Sequence, residues 1–289
     1  MSKKLKTLCA LICTAVLMLS LSANAAAGFL EGSNISDISP EAFEEIPMYA
    51  NGEYIGDALK LGSTSYAPIP DFCEELLDCQ CSLCWDKDTV SLTLVCPHTQ
   101  LLFDFRYDYL MVNDRYIYLD DLIFSVEGVL YIPIRVLAKA FDAQVEWIDG
   151  SIFISYTEGA LIAPGSEFYN EYDLYWLSHV IYAESGNQSM AGMIGVGNVV
   201  LNRVRDDSGV FPDDTRGVIF QPGQFSVVDN GTIFCEPKPH CVVAAKLCLE
   251  GYNTVGNSLF FLNPSISCST WFDTHRDFYA SIGDHDFYA

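Results

Sequence analysis

Two neighbouring apolar segments in the second half of the chain predict a pair of helices joined by a short turn. Apolar side chains recur at helical spacing at Leu174, Leu177 and Ile181. Glu184 falls on the same stripe, so a carboxylate ends an otherwise apolar face, and Gly186 then ends the helix. The second helix, from about residue 190 to 206, is apolar or small around nearly its whole circumference, which predicts that it is buried. Its glycines cost roughly 1 kcal/mol each relative to alanine, so we expect another backbone to pass very close.

Three polar side chains of this helix pair are expected to have different roles. Glu184 lies where desolvation and the negative end of the helix dipole both disfavour its charged form, so we expect its pKa to be raised. A carboxyl that stays protonated near neutral pH is a general acid. Asn198 and Asn202 lie within the buried helix, and we expect them to be structural, because buried backbone groups need hydrogen-bond partners.

Residues 48–157 are rich in short β-type stretches and contain an internal repeat with an offset of 62 to 65 residues. The matching pairs are Asn51-Gly-Glu-Tyr-Ile with Asn113-Asp-Arg-Tyr-Ile, Tyr66-Ala-Pro-Ile-Pro with Tyr131-Ile-Pro-Ile-Arg, and Trp85 with Trp147. Each copy is predicted to form a strand, a turn, a second strand, one helix after the Pro-Ile pair and a closing hairpin around its tryptophan. The pattern therefore predicts a β-rich two-repeat domain with short helices.

The chain begins with the pattern of a secretory signal peptide, which we assign to residues 1–25. Three lysines precede an apolar run at residues 8–21, and an Ala-Asn-Ala segment follows it. Residues 26–47 show no sustained period and are expected to be a flexible lead-in. No later stretch approaches the roughly 18 apolar residues of a membrane-spanning helix. We therefore expect a secreted protein with no membrane span in its mature form.

The composition is strongly acidic. The formal net charge is -23, and removal of the signal peptide with its three lysines makes it about -26, since -23 - 3 = -26. Such a charge argues against binding to nucleic acid and to anionic membrane surfaces. It also argues against simple electrostatic adhesion to an anionic cell wall, so wall binding would have to come from shape and hydrogen bonding.

Nine of the eleven cysteines lie after the predicted signal peptide, and export makes disulfides the favoured explanation. Four thiolates could instead complete a tetrahedral zinc site, and they are Cys79, Cys81, Cys84 and Cys96. The odd total leaves at least one thiol free or paired with another chain. His275 and His285 lack the paired spacing of a metal site, so we treat both as non-ligands and expect no metal or cofactor in the second half.

Six sequence blocks follow one another through the second half of the chain. They are Ile181-Tyr-Ala-Glu-Ser-Gly, Val196-Gly-Asn-Val-Val-Leu-Asn-Arg-Val, Gln221-Pro-Gly-Gln-Phe-Ser, Ala244 to Gly251, Ser258-Leu-Phe-Phe-Leu-Asn-Pro and Ile282-Gly-Asp-His-Asp-Phe-Tyr. In this order they resemble the SleB-type cell-wall hydrolase family, over residues 173–289. The resemblance implies an α+β catalytic domain, lysozyme-like and similar to lytic transglycosylases, that cuts the glycan strands of peptidoglycan. It also implies that Glu184 is the catalytic acid/base.

The first half is similar to a different family. Residues 48–157 resemble the copper amine oxidase N-terminal-like domain, an attachment or spacer module of exported enzymes. Despite that name, this half has one histidine, His98, and no paired ligand spacing for copper. Residues 158–172 contain glycine and proline and are the expected linker to the catalytic domain. Attachment to the wall or to another protein through residues 48–157 is therefore a hypothesis, and the cell wall or the spore envelope is the expected location.

The candidate substrate-binding residues are Tyr182, Gln224, Phe225, Ser226, Asn263 and Trp271. Gln224 and Ser226 would hydrogen-bond sugar hydroxyls or N-acetyl groups, and Phe225 would stack on a sugar ring. Asn263 would place an amide at the edge of the groove. Tyr182 either lines the cleft or merely packs, and Trp271 is either a sugar platform or part of the core.

The carboxylates around Glu184 bear on the mechanism. Ordinary glycosidases use two carboxylates, but the matching blocks around Glu184 contain no second Asp or Glu, and the candidates outside them include Asp229. One carboxyl suffices when the 6-hydroxyl of the muramic acid attacks the anomeric carbon, as in lytic transglycosylases. We therefore predict non-hydrolytic cleavage over muramidase-type hydrolysis. An inactive wall-binding protein remains an alternative, and so does an amidase or peptidase, which would normally show zinc ligands or a Cys-His pair.

Overall fold

The chain forms two compact units in a computed structural model that describes residues 35–97, 99–266 and 274–289. The first unit contains the described residues up to Asn113 and Leu119–Ile162. The second contains Asp114–Tyr118 and the described residues of Ala163–Ala289. The predicted signal peptide lies outside the described residues. Strands dominate the first unit and helices the second, which confirms the predicted α+β class with a β-rich N-terminal part.

The first unit is built from two groups of strands and two short helices. Its strands are β1 (Ser36–Asp37), β2 (Glu44–Ala50), β3 (Glu53–Leu61), β4 (Thr64–Pro68), β5 (Ser82–Asp86), β6 (Ser91–Cys96), β7 (Thr99–Asp104), β8 (Tyr109–Val112), β10 (Phe124–Val126), β11 (Val129–Pro133), β12 (Gln144–Ile148) and β13 (Ser151–Ser155), with β9 (Arg115–Tyr118) assigned to the second unit. One sheet has the order β1-β10-β11-β4-β3-β2-β13-β12. In the other group, β5 to β8 pair antiparallel in chain order. The helices are α1 (Ile69–Leu77) and α2 (Ile134–Ala140).

The predicted internal repeat is visible in the strand register. Strands β4 and β11 end in Pro68 and Pro133, whose extended backbone leads directly into α1 and α2. The two strands pair antiparallel, with Pro68 opposite Tyr131 and Tyr66 opposite Pro133. Each tyrosine therefore faces the proline of the other copy, so the pairing is symmetric between the two repeats. Each copy closes with the predicted tryptophan hairpin, β5–β6 in the first and β12–β13 in the second.

The cysteines of the first unit include one disulfide. It joins Cys81 to Cys96, with 4.6 Å between the Cα atoms. The Cys79 sulfur lies 4.0 Å from that of Cys81 and is not bonded to it. Cys84 is exposed and does not join these three sulfurs, so the four cysteines that would form a zinc site are not brought together. The structure therefore agrees with the disulfide interpretation rather than the zinc alternative.

The second unit consists mainly of helices with a small sheet. The helices are α3 (Gly165–Phe168), α4 (Glu171–Ser185), α5 (Met190–Arg205), α6 (Thr215–Phe220), α7 (Ser226–Asp229) and α8 (Pro239–Leu249). Strands β14 (Phe260–Leu262), β15 (Phe278–Ile282) and β16 (His285–Tyr288) form a sheet in the order β14-β16-β15. Helix α8 begins five residues before its predicted start at residue 244, because Pro239 is well placed in the first turn of a helix. None of the helices described is long and apolar enough to cross a membrane.

Helix α5 is the buried centre of the second unit, packed against both α4 and α8. A Cβ atom at Gly195 would lie 2.8 Å from the ring of Phe287, and one at Gly197 would lie 2.6 Å from the sulfur of Cys248. The glycines therefore accommodate side chains, and the prediction of a closely passing backbone is wrong in that respect. A Cβ methyl at either glycine would collide with the aromatic ring or the buried thiol, just as it would collide with a closely passing backbone.

Two asparagines of α5 form hydrogen bonds to the loop that follows α8. Asn198 donates to the carbonyl of Tyr252 at 2.8 Å and accepts from the amide of Thr254 at 3.0 Å. Asn202 donates to the carbonyls of Gly256 and Ser258 at 2.8 and 2.9 Å. These bonds satisfy loop backbone groups, which confirms the structural role predicted for both side chains.

Strand β9 contributes a buried ion pair to the second unit. The Arg115 guanidinium is hydrogen-bonded to both oxygens of Glu250, and the side chains are 6% and 1% exposed. Tyr169 donates its hydroxyl to the same carboxylate at 2.9 Å. The domain boundaries expected from the sequence place β9 and Tyr169 outside the catalytic domain, whereas here they belong to the same compact unit as Glu250.

Candidate active site

Helix α4 carries the predicted acid in its last turn. The helix begins at Asn170, whose side chain accepts hydrogen bonds from the amides of Tyr172 and Asp173. It ends at Ser185, with Gly186 as the capping residue, and α5 starts at Met190 after the Ser189 cap. The predicted pair of helices with a short turn is therefore confirmed, and Glu184 lies one residue before the end of the first helix.

The last turn of α4 is held in place on its buried side. Ser185 is fully buried and donates its hydroxyl to the carbonyl of Ile181 at 2.9 Å. Ile181 is also fully buried, and His240 of α8 forms a hydrogen bond of 3.2 Å through Nε2 to the carbonyl of Gly186. These contacts fix the backbone on both sides of Glu184. A catalytic side chain on such a turn has a well-defined position.

The Glu184 carboxyl lines an open cleft of about 270 Å³. The side chain is partly buried, and this desolvation raises the pKa of the Glu184 carboxyl above its ordinary value. Its place near the C-terminal end of α4 acts in the same direction, because the helix dipole is negative there. Both effects favour the protonated form of Glu184, which is the form that a general acid needs.

Glu184 is the only carboxyl among the described residues that line the cleft. The other lining residues that have polar side chains are Tyr182, Asn187, Thr232, Cys235 and Lys238. The Lys238 ammonium lies 5.9 Å from the centroid of the Tyr182 ring. The cleft thus combines one acid, one cation and several neutral hydrogen-bonding groups, and among the described residues it offers no pair of carboxylates for a two-carboxylate mechanism.

The cleft brings together only part of the predicted substrate-binding set. Tyr182 lines it with Glu184, whereas Gln224 and Ser226 are exposed at the start of α7 and are not lining residues. Asn263 is partly buried and accepts a hydrogen bond from the amide of Ser265, which is the behaviour of a turn residue. Trp271 lies outside the described residues.

Phe225 does not have the role predicted for it. Its ring is 4% exposed and lies 6.2 Å from the ring of Phe261 and 5.3 Å from the guanidinium of Arg203. Arg203 is itself buried, and desolvation lowers its pKa to about 10. The phenylalanine is therefore core, packed against a buried cation, and has no free face for a sugar.

Four cleft residues with polar side chains were not predicted as site residues from the sequence. Asn187 follows the helix end directly, so its closeness to Glu184 in the chain was an available signal. Thr232, Cys235 and Lys238 lie about 50 residues further on, between α7 and α8. That segment reaches the acid because α4 packs both against α8 and against residues 232–234.

In comparison with known proteins, the two halves of the chain match two different family profiles. Residues 187–288 match the profile of the family described as Cell Wall Hydrolase, and residues 53–155 match the Copper amine oxidase N-terminal domain. The spore cortex-lytic enzyme of Oceanobacillus iheyensis is 34% identical over 119 residues, which are 41% of this chain and 42% of that protein. The spore cortex-lytic enzyme of Bacillus subtilis is 29% identical over 108 residues, 37% of this chain and 34% of that protein.

Two solved structures are also similar in sequence. One is the catalytic domain of the germination-specific lytic transglycosylase SleB from Bacillus anthracis, 32% identical, with 44% of this chain and all of that chain covered and a TM-score of 0.39. The other is the catalytic domain of the Bacillus cereus SleB protein, 32% identical, with coverages of 42% and 92% and a TM-score of 0.38. The chain spans less than half the length of the curated relatives it matches. Glu184 lies three residues before the matched profile, so the profile match does not include it.

Proposed function

We propose that this chain, which carries a cell wall hydrolase domain after a copper amine oxidase N-terminal domain, cleaves the glycan strands of peptidoglycan. The bond cut is the β-1,4 linkage between N-acetylmuramic acid and N-acetylglucosamine. The observation that carries the proposal is Glu184, a lone carboxyl on a fixed helix turn, lining an open cleft, with its pKa raised by burial. Such a group is suited to protonate a glycosidic oxygen.

The proposed chemistry needs one carboxyl for two proton transfers. Glu184 first donates its proton to the bridging oxygen, and the bond from that oxygen to the anomeric carbon of the muramic residue breaks. The 6-hydroxyl oxygen of the same residue then bonds to the anomeric carbon, and its proton passes to the Glu184 carboxylate. The products are a 1,6-anhydromuramic end and a free 4-hydroxyl on the next sugar. The attack is intramolecular, which gives it a large effective concentration over water.

Hydrolysis of the muramidase type is the second candidate. It would need a group that activates water on the opposite side of the sugar. Asp229 was one of the sequence candidates, but it is exposed at the end of α7 and does not line the cleft. The arrangement therefore supports the intramolecular reaction over hydrolysis.

Analysis of the products tests the proposal. Peptidoglycan digested by the purified full-length protein should give muropeptides that end in 1,6-anhydromuramic acid, each lighter by one water than the hydrolytic product and resistant to borohydride. Predominantly reducible muramic ends would establish a muramidase instead. Release of peptides without new sugar ends would refute glycan cleavage altogether.

The first unit is proposed to attach the enzyme to its substrate, and the cell wall or the spore envelope is the proposed location. Support comes from the cell-wall hydrolase match and from the proposed signal peptide at residues 1–25. Substitutions on the surface of the first unit check the attachment role, because they should weaken action on intact sacculi more than action on soluble fragments. Deletion of residues 48–157 is unsuitable, because it would also remove Arg115, the buried partner of Glu250 in the second unit.

A further inference from the structure

The first unit contains a groove of about 470 Å³ that has no part in the chemistry proposed above. Its walls come from the turn before β4, from the start of α2 and from the edge strand β12. This volume falls within the range of pockets that take small organic ligands. The side chains that face it decide which ligands fit.

Trp147 of β12 is the main apolar surface of the groove. Its side chain is 48% exposed, and the ammonium of Lys60 lies 5.3 Å from the centroid of its ring. Lys60 is held in turn by Glu44 at 3.0 Å. A cation over an aromatic face favours one ring orientation, so this exposed ring is positioned before any ligand arrives.

The internal repeat shows that the fold does not require this exposure. The equivalent tryptophan of the first copy, Trp85, is only partly exposed and lies 6.0 Å from the ring of Phe105. Trp147 occupies the same position in its hairpin, opposite Ile152, and remains about half exposed over the groove. A large aromatic ring left open in a pocket is typical of a binding site, because covering it with a ligand is favourable.

The polar lining of the groove includes both hydrogen-bond donors and acceptors. The polar lining residues include Lys60, Thr64, Asp120, Asp121, Arg135 and Glu146. The Asp121 carboxylate accepts hydrogen bonds from the Thr64 hydroxyl at 2.9 Å and the Tyr66 hydroxyl at 3.1 Å, which fixes its orientation. Hydroxyl-rich ligands use such interspersed donors and acceptors, whereas the three carboxylates disfavour polyanions.

We propose that this groove binds a glycan strand, with Trp147 stacked on the face of an N-acetylated amino sugar and the carboxylates accepting from its hydroxyls. The identification of the glycan rests on the proposed function, since the same polymer is the substrate of the second unit. The groove then supplies the hydrogen bonding and shape that an acidic protein needs to bind an anionic wall. A stem peptide is the competing ligand, because the edge strand β12 would also pair with an extended chain.

The test measures binding of the full-length chain to purified glycan in the Glu184→Gln background, which prevents turnover. The probes are intact sacculi, glycan strands freed of stem peptides, and oligomers of N-acetylglucosamine. Trp147→Ala should weaken binding to all three by about tenfold or more, as truncation of an aromatic anchor does. Trp147→Phe, which keeps a ring, should retain most of the affinity.

Tyr54→Ala is the matched control, because Tyr54 is an aromatic residue of the same unit that is 57% exposed and does not line the groove. It should bind as the parent does. Equal binding by Trp147→Ala and the parent overturns the proposal, and so does binding that needs the stem peptides. Cleavage of soluble fragments by the parent chain with Glu184 intact reports separately on the proposed function, so a failure of that function can be told apart from a failure of the groove to bind glycan.

Discussion

Replacement of Glu184 by glutamine should abolish turnover while the fold persists. Glutamine is nearly isosteric with glutamate but cannot donate a proton and take it back. General acid/base catalysis typically contributes about 10²- to 10⁴-fold, so the rate constant should fall by that factor. At 1.36 kcal/mol per factor of ten, the corresponding rise in the barrier is about 2.7 to 5.4 kcal/mol. The upper part of this range is expected, because the described lining of the cleft holds no second carboxyl to substitute.

The stability of this variant follows from the sign of the pKa shift. Burial raises the pKa of Glu184 in the folded chain, so the folded state holds its proton at pH values where the unfolded state has released it. The free energy of unfolding therefore falls as pH rises from the pKa of Glu184 in the unfolded chain through its pKa in the folded chain. Above that range the folded chain holds a charged, partly buried carboxylate. Glutamine carries no charge, so Glu184→Gln should unfold at the same temperature as the wild type or higher at neutral pH.

Two measurements separate catalysis from folding. The rate is obtained from new sugar ends released from soluble glycan fragments, and the unfolding temperature is obtained by circular dichroism. Asp229→Asn is the matched control, because it makes the same carboxyl-to-amide change at an exposed position outside the cleft, and it should keep the wild-type rate. A wild-type rate for Glu184→Gln would refute the assignment. A lost rate for Asp229→Asn would show that a second carboxyl takes part.

Three further predictions concern the same unit. The rate on soluble fragments should fall as pH rises through the pKa of Glu184, since the acid must be protonated, and a rate that rises through that range would contradict this. Arg115→Ala should destabilise the chain by about 3 to 5 kcal/mol in chemical unfolding, because it leaves the Glu250 carboxylate buried without its cation, whereas the exposed Arg205→Ala should change stability little. Because Cys235 is exposed and lines the cleft, its alkylation with a bulky maleimide should block glycan binding and therefore cleavage. The Cys235→Ser variant should remain active after the same maleimide treatment, and loss of its activity would contradict this prediction.

Local features of the chain could be predicted from the sequence because they depend on neighbouring residues. The end of α4 at Ser185 and the start of α5 after Ser189 follow from capping, which acts within one helical turn. The repeat of a strand, a proline and a helix at Pro68 and Pro133 is equally local, because proline restricts its own backbone and that of the residue before it. The raised pKa of Glu184 also followed from its position on an apolar stripe at a helix end.

Only the tertiary structure decided which distant residues meet. Lys238 reaches the cleft of Glu184 because α4 packs on α8, and no periodicity in either segment encodes that contact. Phe225 is the type of residue that forms a sugar platform, but it is buried beside Arg203. Tertiary packing determines whether an aromatic ring faces a ligand or the core. The partner of Cys81 was likewise open among several cysteines until the β5–β6 hairpin brought Cys96 beside it. Capping and periodicity act over a few residues, whereas a cleft forms from elements that are joined only by the hydrophobic packing of the whole unit.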